Sequence, residues 1–119
     1  MYKVIIAGGR DFNSPVSQYK DEVLALLPDE DIEIVSGTAN GADKWGEKLA
    51  RRCNYPIKKF PADWDAYGKG AGHIRNKEMA EYANHLIAFW DGVSRGTNNM
   101  IEEATELGLK VDVINYHGL

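Results

Sequence analysis

Hydrophobic positions along the chain fall into two alternating patterns. Five short runs, at 3–7, 32–36, 56–60, 85–89 and 110–115, are rich in β-branched or aromatic residues and are bounded by Gly, Pro, Asp or Asn, so they read as strands. The first of them, Val4-Ile5-Ile6-Ala7, is apolar without alternation, as a strand covered on both faces requires. Between the runs, apolar and small residues recur at i, i+3 and i+4, the helical period. Val16, Tyr19, Val23, Leu24 and Leu27 make the first stripe, and Ala42, Gly46, Leu49, Ala50 and Cys53 the second. Asn76, Met79, Ala80 and Ala83 make the third, and Thr97, Ile101, Ala104 and Leu107 the fourth. Ser14-Pro15 offers an N-cap with proline at the first helical position, Pro28 ends that helix, and Gly108 stands where the last helix needs a C-cap.

Strict alternation of strand and helix points to the α/β class with a parallel sheet. The expected fold is a single doubly wound Rossmann-like domain spanning 1–119, with a five-stranded parallel sheet in the order 3-2-1-4-5 and helices on both faces. A chain of 119 residues leaves no room for a second domain. The longest irregular stretch, 61–72, has the length at which loops become uncommon unless they are functional.

Composition narrows the possible partners. The chain is 44% hydrophobic and 27% charged, ordinary globular values that exclude disorder or a coiled coil as the dominant state. Fourteen Lys and Arg against eighteen Asp and Glu leave a net charge of −4, which makes nucleic acid an unfavourable partner without excluding a local basic pocket. The single cysteine, Cys53, reads as core and permits no intrachain disulfide. No apolar run approaches the roughly 18 residues of a membrane span, and the first residues run straight into a strand rather than a signal peptide. The expectation is a cytoplasmic protein with no membrane partner.

In a doubly wound sheet, ligands bind outside the carboxyl ends of the strands, so the loops that follow strands are the ones to search. They carry Gly8-Gly9-Arg10-Asp11, then Ser36-Gly37-Thr38-Ala39-Asn40-Gly41-Ala42-Asp43, then 61–72, then Trp90-Asp91-Gly92-Val93-Ser94-Arg95-Gly96-Thr97. Two of them are glycine-rich and open a helix, an arrangement that brings backbone N–H groups and a partial positive charge to an anion. Ser36, Thr38, Ser94 and Thr97 add hydroxyls, and Arg10 and Arg95 add forked donors suited to phosphate. The same glycines could instead serve tight strand-to-helix turns. In 61–72, Asp63, Trp64, Asp65, Tyr67 and Lys69 mix acids, aromatics and a base: an aromatic such as Trp64 could stack on a base and a carboxylate such as Asp63 could hold a ribose or act as a general base, or the segment could be an ordered surface loop anchored by Trp64. His73, Arg75 and Asn76 fall in the first turn of the third helix, where Asn76 begins the buried stripe and needs partners. The first turn lacks the third glycine of a dinucleotide fingerprint, and no Walker-type Gly-Lys-Ser/Thr follows a glycine run. His73, His85 and His117 are too far apart in sequence for metal-ligand spacing, so no metal site is expected, although Mg²⁺ could accompany a phosphate.

These residues resemble a known group of proteins. Ser36-Gly37-x-Ala39-x-Gly41-Ala42-Asp43 is similar to the SG-x-A-x-G-(A/I)-D signature of the DprA/Smf branch of the SLOG superfamily. Together with Gly8-Gly9-Arg10, the 60–64 run, Gly72-x-x-Arg75-Asn76-x-x-Met79 and the 88–97 segment, it resembles the YspA-type, cpYpsA-related SLOG family, in which phage-encoded members occur. The resemblance implies a Rossmann-like fold and binding of a nucleotide or nucleotide-derived ligand. Its contacts would fall on Gly8, Gly9 and Arg10, on Ser36, Gly37 and Gly41, and on Ser94, Arg95, Gly96 and Thr97. It also implies a homo-oligomer.

Enzymatic SLOG relatives, the LOG-type phosphoribohydrolases, carry a P-G-G-x-G-T-x-x-E motif with a catalytic Glu. Aligning Gly96-Thr97 with its G-T puts Met100 at that position. Glu102 and Glu103 are displaced around the helix by about 200–300° and do not substitute. The leading expectation is therefore a sensor or sequestering module for a phosphate-bearing nucleotide. The alternative is a nucleotide N-glycosidic hydrolase using another carboxylate, with Asp63 and Asp91 as the catalytic candidates beside Asp11. DprA-like binding of single-stranded DNA, with Trp64 and Trp90 as stacking surfaces, comes last because of the acidic balance.

Overall fold

A computed structural model describes residues 1–116, so His117 and the two residues after it lie outside the described residues. Five strands alternate with helices. They are β1 (Tyr2–Gly8), α1 (Val16–Ala25), β2 (Ile32–Ser36), α2 (Ala42–Cys53), β3 (Ile57–Lys59), α3 (Trp64–Tyr67), α4 (Ala71–Tyr82), β4 (His85–Trp90), α5 (Arg95–Glu106) and β5 (Lys110–Asn115). Every strand pair is parallel and the sheet order is β3-β2-β1-β4-β5. This is the Rossmann-like α/β arrangement that the alternation implied.

Period-2 geometry sends successive residues of β1 to opposite faces. Val4 and Ile6 pack with Ile34, Ile87 and Phe89 under α1 and α2, while Ile5 and Ala7 pack with Val35, Leu86 and Ala88 under α4 and α5. Both layers are closed, which explains the unbroken apolar run. Gly46 lets α2 lie close on β1, since a Cβ there would stand 2.8 Å from Ile6. Cys53 is partly buried against the first layer.

The helix ends follow local chemistry. Gly108 adopts φ +78 and closes a Schellman motif, with Gly108 N–H donating to Thr105 and Leu109 N–H to Ala104. Asn54, at φ 58, does the same for α2. Helix α1 begins one residue later than Ser14-Pro15 suggests, because Pro15 is extended at ψ 151 and caps from outside. Its end tightens into i→i+3 bonds at Leu26 and Leu27 before Pro28.

The 61–72 segment is more ordered than its composition indicates. Asp63 accepts from Ala66 N–H at 3.0 Å and nucleates α3. Gly68, at φ +56, then turns the chain through a 3₁₀ turn (Gly68–Gly70) into α4, which begins at Ala71. Arg75 and Asn76 consequently sit in the second turn of α4 rather than the first.

Candidate functional site

β1 and β4 are neighbours in the sheet, but the chain leaves them toward opposite faces. That divergence opens a crevice at the carboxyl edge, and the protein has a cleft of about 290 Å³ there. Ala7, Gly8 and Arg10 line it from the end of β1, and Ser94, Gly96 and Thr97 from the start of α5. Helix α4 supplies His73, Arg75, Asn76 and Met79, and the turns before it supply Trp64 and Lys69. Asp43 and Met100 complete the walls. A second cleft of about 350 Å³ continues over β2 and β3, lined by Gly37, Thr38, Asn40, Pro61 and Ala62. Arg10, Ala39, Trp64 and Arg75 border both.

Arg75 is the centre of this edge. Its residue is 9% exposed. Nη1 donates to the Gly37 carbonyl and Nε to Asn76 Oδ1 at 3.1 Å, while Nη2 makes no hydrogen bond among the described residues. Asn76 passes the connection on, donating to Asn99 Oδ1 at 2.9 Å and to the Gly96 carbonyl at 3.3 Å. One side chain pair thereby ties the β2–α2 loop to the opening of α5. The absence of a side chain at Gly37 makes room for this arrangement, since a Cβ would stand 2.7 Å from Arg75 Nη1 and 2.8 Å from Asp43 Oδ2 and would displace one of them.

Asp43 faces the same group. Burial pushes its pKa up to about 6, against the pull of the Ala39 N–H bond and the Arg75 charge. Burial also draws the Arg75 guanidinium pKa downward, with Asp43 opposing. Arg10, Lys69 and Arg75 line this cleft with one carboxylate, Asp43, and His73 beside them, so a chain of net charge −4 concentrates basic side chains at this edge.

The two glycine-rich helix openings differ. At α2, Ala42 N–H donates to the Gly9 carbonyl at 3.1 Å. Gly41, at φ +79, cannot carry a Cβ, which would meet the Gly9 carbonyl and the Arg10 backbone. Gly8 is enclosed by the Phe89 backbone and Ala42, whereas Gly9 faces only side-chain ends, the Tyr116 hydroxyl and the Asp11 carboxylate. These glycines let two loops grip each other. Ser36, fully buried, donates to Glu47 Oε2 at 2.6 Å and accepts from Thr38 N–H at 3.1 Å. At α5, the first intrahelical bond is Asn98 N–H to Ser94, so the N–H groups of Arg95, Gly96 and Thr97 precede it. A Cβ on Gly96 would meet nothing within 4 Å, and the Ser94 and Thr97 hydroxyls lie 3.3 Å apart.

Several sequence candidates line neither cleft. Arg95 is exposed at the start of α5. Asp91 accepts from Val93 and Ser94 N–H at 2.9 and 2.8 Å, bonds that hold its carboxyl below the usual range. Asp63 caps α3, and Asp11 accepts from the Tyr116 hydroxyl at 2.6 Å. His85 is at the opposite edge, buried between the Tyr2 hydroxyl at 3.2 Å and Asp112 at 2.7 Å. Lys69 and His73, which stand out in the sequence only as members of the 61–72 segment and of the helix after it, line the first cleft, and the buried Glu47 was missed as a support residue. Glu47 was legible in principle, because it lies one turn after Asp43 on the flank of a buried stripe.

A model of the YspA, cpYpsA-related SLOG family matches residues 2–67, from β1 through α3. The chain belongs to this SLOG family. It is also 33% identical to the Gene 61 protein of Mycobacterium phage D29 over 128 aligned positions, covering 98% of this chain and 97% of that protein. No solved structure matches the chain. The SLOG family model covers the loops after β1 and β2, whereas α4 and α5, which complete the cleft, lie beyond it. No helix among the described residues is long and apolar enough to cross a membrane.

Proposed function

We propose that this SLOG-family protein binds a phosphate-bearing nucleotide or nucleotide-derived ligand in the cleft between the ends of β1 and β4. The observation that carries this reading is the nearly buried Arg75, bordering the cleft together with Arg10 in an otherwise acidic protein. A largely buried guanidinium that Gly37 and Asn76 hold in place, with Nη2 left to face the cleft, is suited to a phosphate oxygen, which it binds more strongly than a neutral acceptor. The opening turn of α5 offers further donors to the same ligand. Trp64, half exposed at the rim, provides a stacking face for a base.

Binding is favoured over hydrolysis by where the carboxylates are. Met100 lines the cleft, while Asp11, Asp63 and Asp91 are each engaged by hydrogen bonds away from it. The one lining carboxylate, Asp43, accepts a backbone N–H and neighbours Arg75. Single-stranded DNA binding gains nothing from two clefts of this size.

The test is calorimetry and thermal shift with AMP, ADP and ADP-ribose. A ligand at about 100 times its Kd stabilises by roughly 2.7 kcal/mol, a shift of several degrees. Arg10→Ala is expected to weaken binding by about tenfold or more, whereas Arg95→Ala stays within about twofold. Equal losses in the two variants, or no shift with any nucleotide, would sink this placement.

A further inference from the structure

The two arginines at the cleft are held in different ways. Arg75 is fixed by its own bonds, to Gly37 and Asn76. Arg10 is exposed and joins no ion pair among the described residues, although Asp11 is its neighbour in the chain. An adjacent carboxylate is the nearest competitor for a guanidinium that is to bind phosphate, because both anions take the same forked donors. The fold keeps the two apart. Arg10 borders the first and second clefts, whereas Asp11 borders neither and lines a third, of about 240 Å³, with Asn13, Tyr19 and Tyr116.

Tyr116 is what turns Asp11 away. Its N–H donates to the Trp90 carbonyl at 3.2 Å, which extends the β4–β5 ladder by one residue. Its ring packs edge-on against Phe12, with centroids 4.9 Å apart, and Phe12 stacks in turn on Phe89 at 4.3 Å. The core therefore holds the ring, and the hydroxyl is left to donate to Asp11 Oδ1 at 2.6 Å. On the way it passes over Gly9, where a Cβ would run into it. The hydroxyl thus meets both chain neighbours of Arg10. Burial and the Asp11 carboxylate push the Tyr116 pKa well above that of an ordinary phenol, so this donor keeps its proton at neutral pH.

We infer that Tyr116 is a positioning residue: its hydroxyl holds the Asp11 carboxylate off Arg10 and so leaves that guanidinium to an anion in the cleft. Without the hydroxyl, Asp11 turns to Arg10 and competes with the ligand for it. The ligand here rests on the nucleotide reading above. The residue is new to that reading, since it follows β5 and lies outside the stretch that the family model matches.

Two measurements test this on the natural protein, Tyr116→Phe, Asp11→Ala and the double variant. One is AMP affinity by calorimetry. The other is the rate at which phenylglyoxal labels Arg10 in the ligand-free protein, read on its peptide by mass spectrometry. Tyr116→Phe keeps the ring and is expected to bind AMP about fivefold more weakly and to label Arg10 several-fold more slowly. Asp11→Ala should do neither, and adding it to Tyr116→Phe should restore both values. A purely structural tie gives a different pattern, in which Asp11→Ala and Tyr116→Phe weaken binding alike and the double variant does not recover. That pattern, or natural affinity and labelling in Tyr116→Phe, would overturn the role of Tyr116 while leaving the nucleotide reading standing. If the natural protein binds no AMP, the nucleotide reading falls, and the labelling rates alone decide whether Tyr116 keeps Asp11 off Arg10.

Discussion

The openings of α2 and α5 look alike in sequence and do opposite things. Both follow a strand, both contain glycine and hydroxyl residues, and both have an arginine within reach. At α2 the glycines are filled by protein: Gly41 touches Gly9 and Arg10, Gly37 makes room for Arg75, and the Ser36 hydroxyl is spent on Glu47. At α5 the corresponding space is open at Gly96, and the cleft runs to it. A glycine-rich loop is a statement about close approach; what approaches is decided elsewhere in the chain.

Four substitutions probe that contrast. The largest effect is expected for Gly41→Ala, which combines an unfavourable φ with a collision against two backbones and should destabilise by about 3 kcal/mol or more in a denaturant titration. A loss below about 1 kcal/mol would mean that the loops are not locked together.

Asp43 comes next. Its pKa rises from 3.8 to about 6 on folding, so the folded state holds this proton more tightly than the unfolded chain does. Its contribution is therefore most favourable below about pH 4 and declines as pH rises to about 6, by roughly 1–3 kcal/mol. Asp43→Asn keeps an acceptor for Ala39 N–H and removes the titration. It should be more stable than the natural protein at pH 7–8, lack that pH-dependent loss, and bind AMP more tightly. Parallel stability–pH curves for the two proteins would contradict this account.

Ser36→Ala leaves the buried Glu47 Oε2 without its donor and should cost about 1–2 kcal/mol in thermal unfolding. Were the hydroxyl a ligand contact instead, the variant would keep its Tm and lose affinity. The smallest effect belongs to Gly96→Ala, where nothing opposes a Cβ. Stability should change by less than about 0.5 kcal/mol while nucleotide affinity falls. A large loss of stability there would erase the difference between the two openings.

Much of the fold was legible because its signals are local. The continuous run at 4–7 announced a strand covered on both faces, and Gly108 marked a helix end that Thr105 and Ala104 indeed close. The helical turns inside 61–72 were missed because one capping bond from Asp63 and one glycine at positive φ create them without any apolar periodicity. Among the candidate residues, Arg10, Asp43, Trp64, Ser94, Gly96 and Thr97 line one cleft beyond the strands they follow, and Arg75 and Asn76 join them from α4. Arg95 and Asp91 follow the same strand and lie outside it, because helical phase and a local turn aim residues only a few positions apart in different directions. Lys69 and His73 enter because the 3₁₀ turn and α4 carry them to the cleft, a consequence of chain path rather than residue type.

The sequence by itself determined the order of the five strands and the four long helices between them, the parallel doubly wound sheet and the edge to which its glycine-rich loops lead. Periodicity and capping act over a few residues, and the handedness of strand–helix–strand connections leaves few ways to assemble them. Only the tertiary structure decided which glycines are packed and which are open, that Arg75 reaches Gly37 across 38 positions of chain, and that two clefts meet at a pair of arginines. Those outcomes depend on what stands opposite each group in space, and burial then sets the electrostatics: the same aspartate would titrate as an ordinary carboxylate on the surface and does so near pH 6 beneath this cleft.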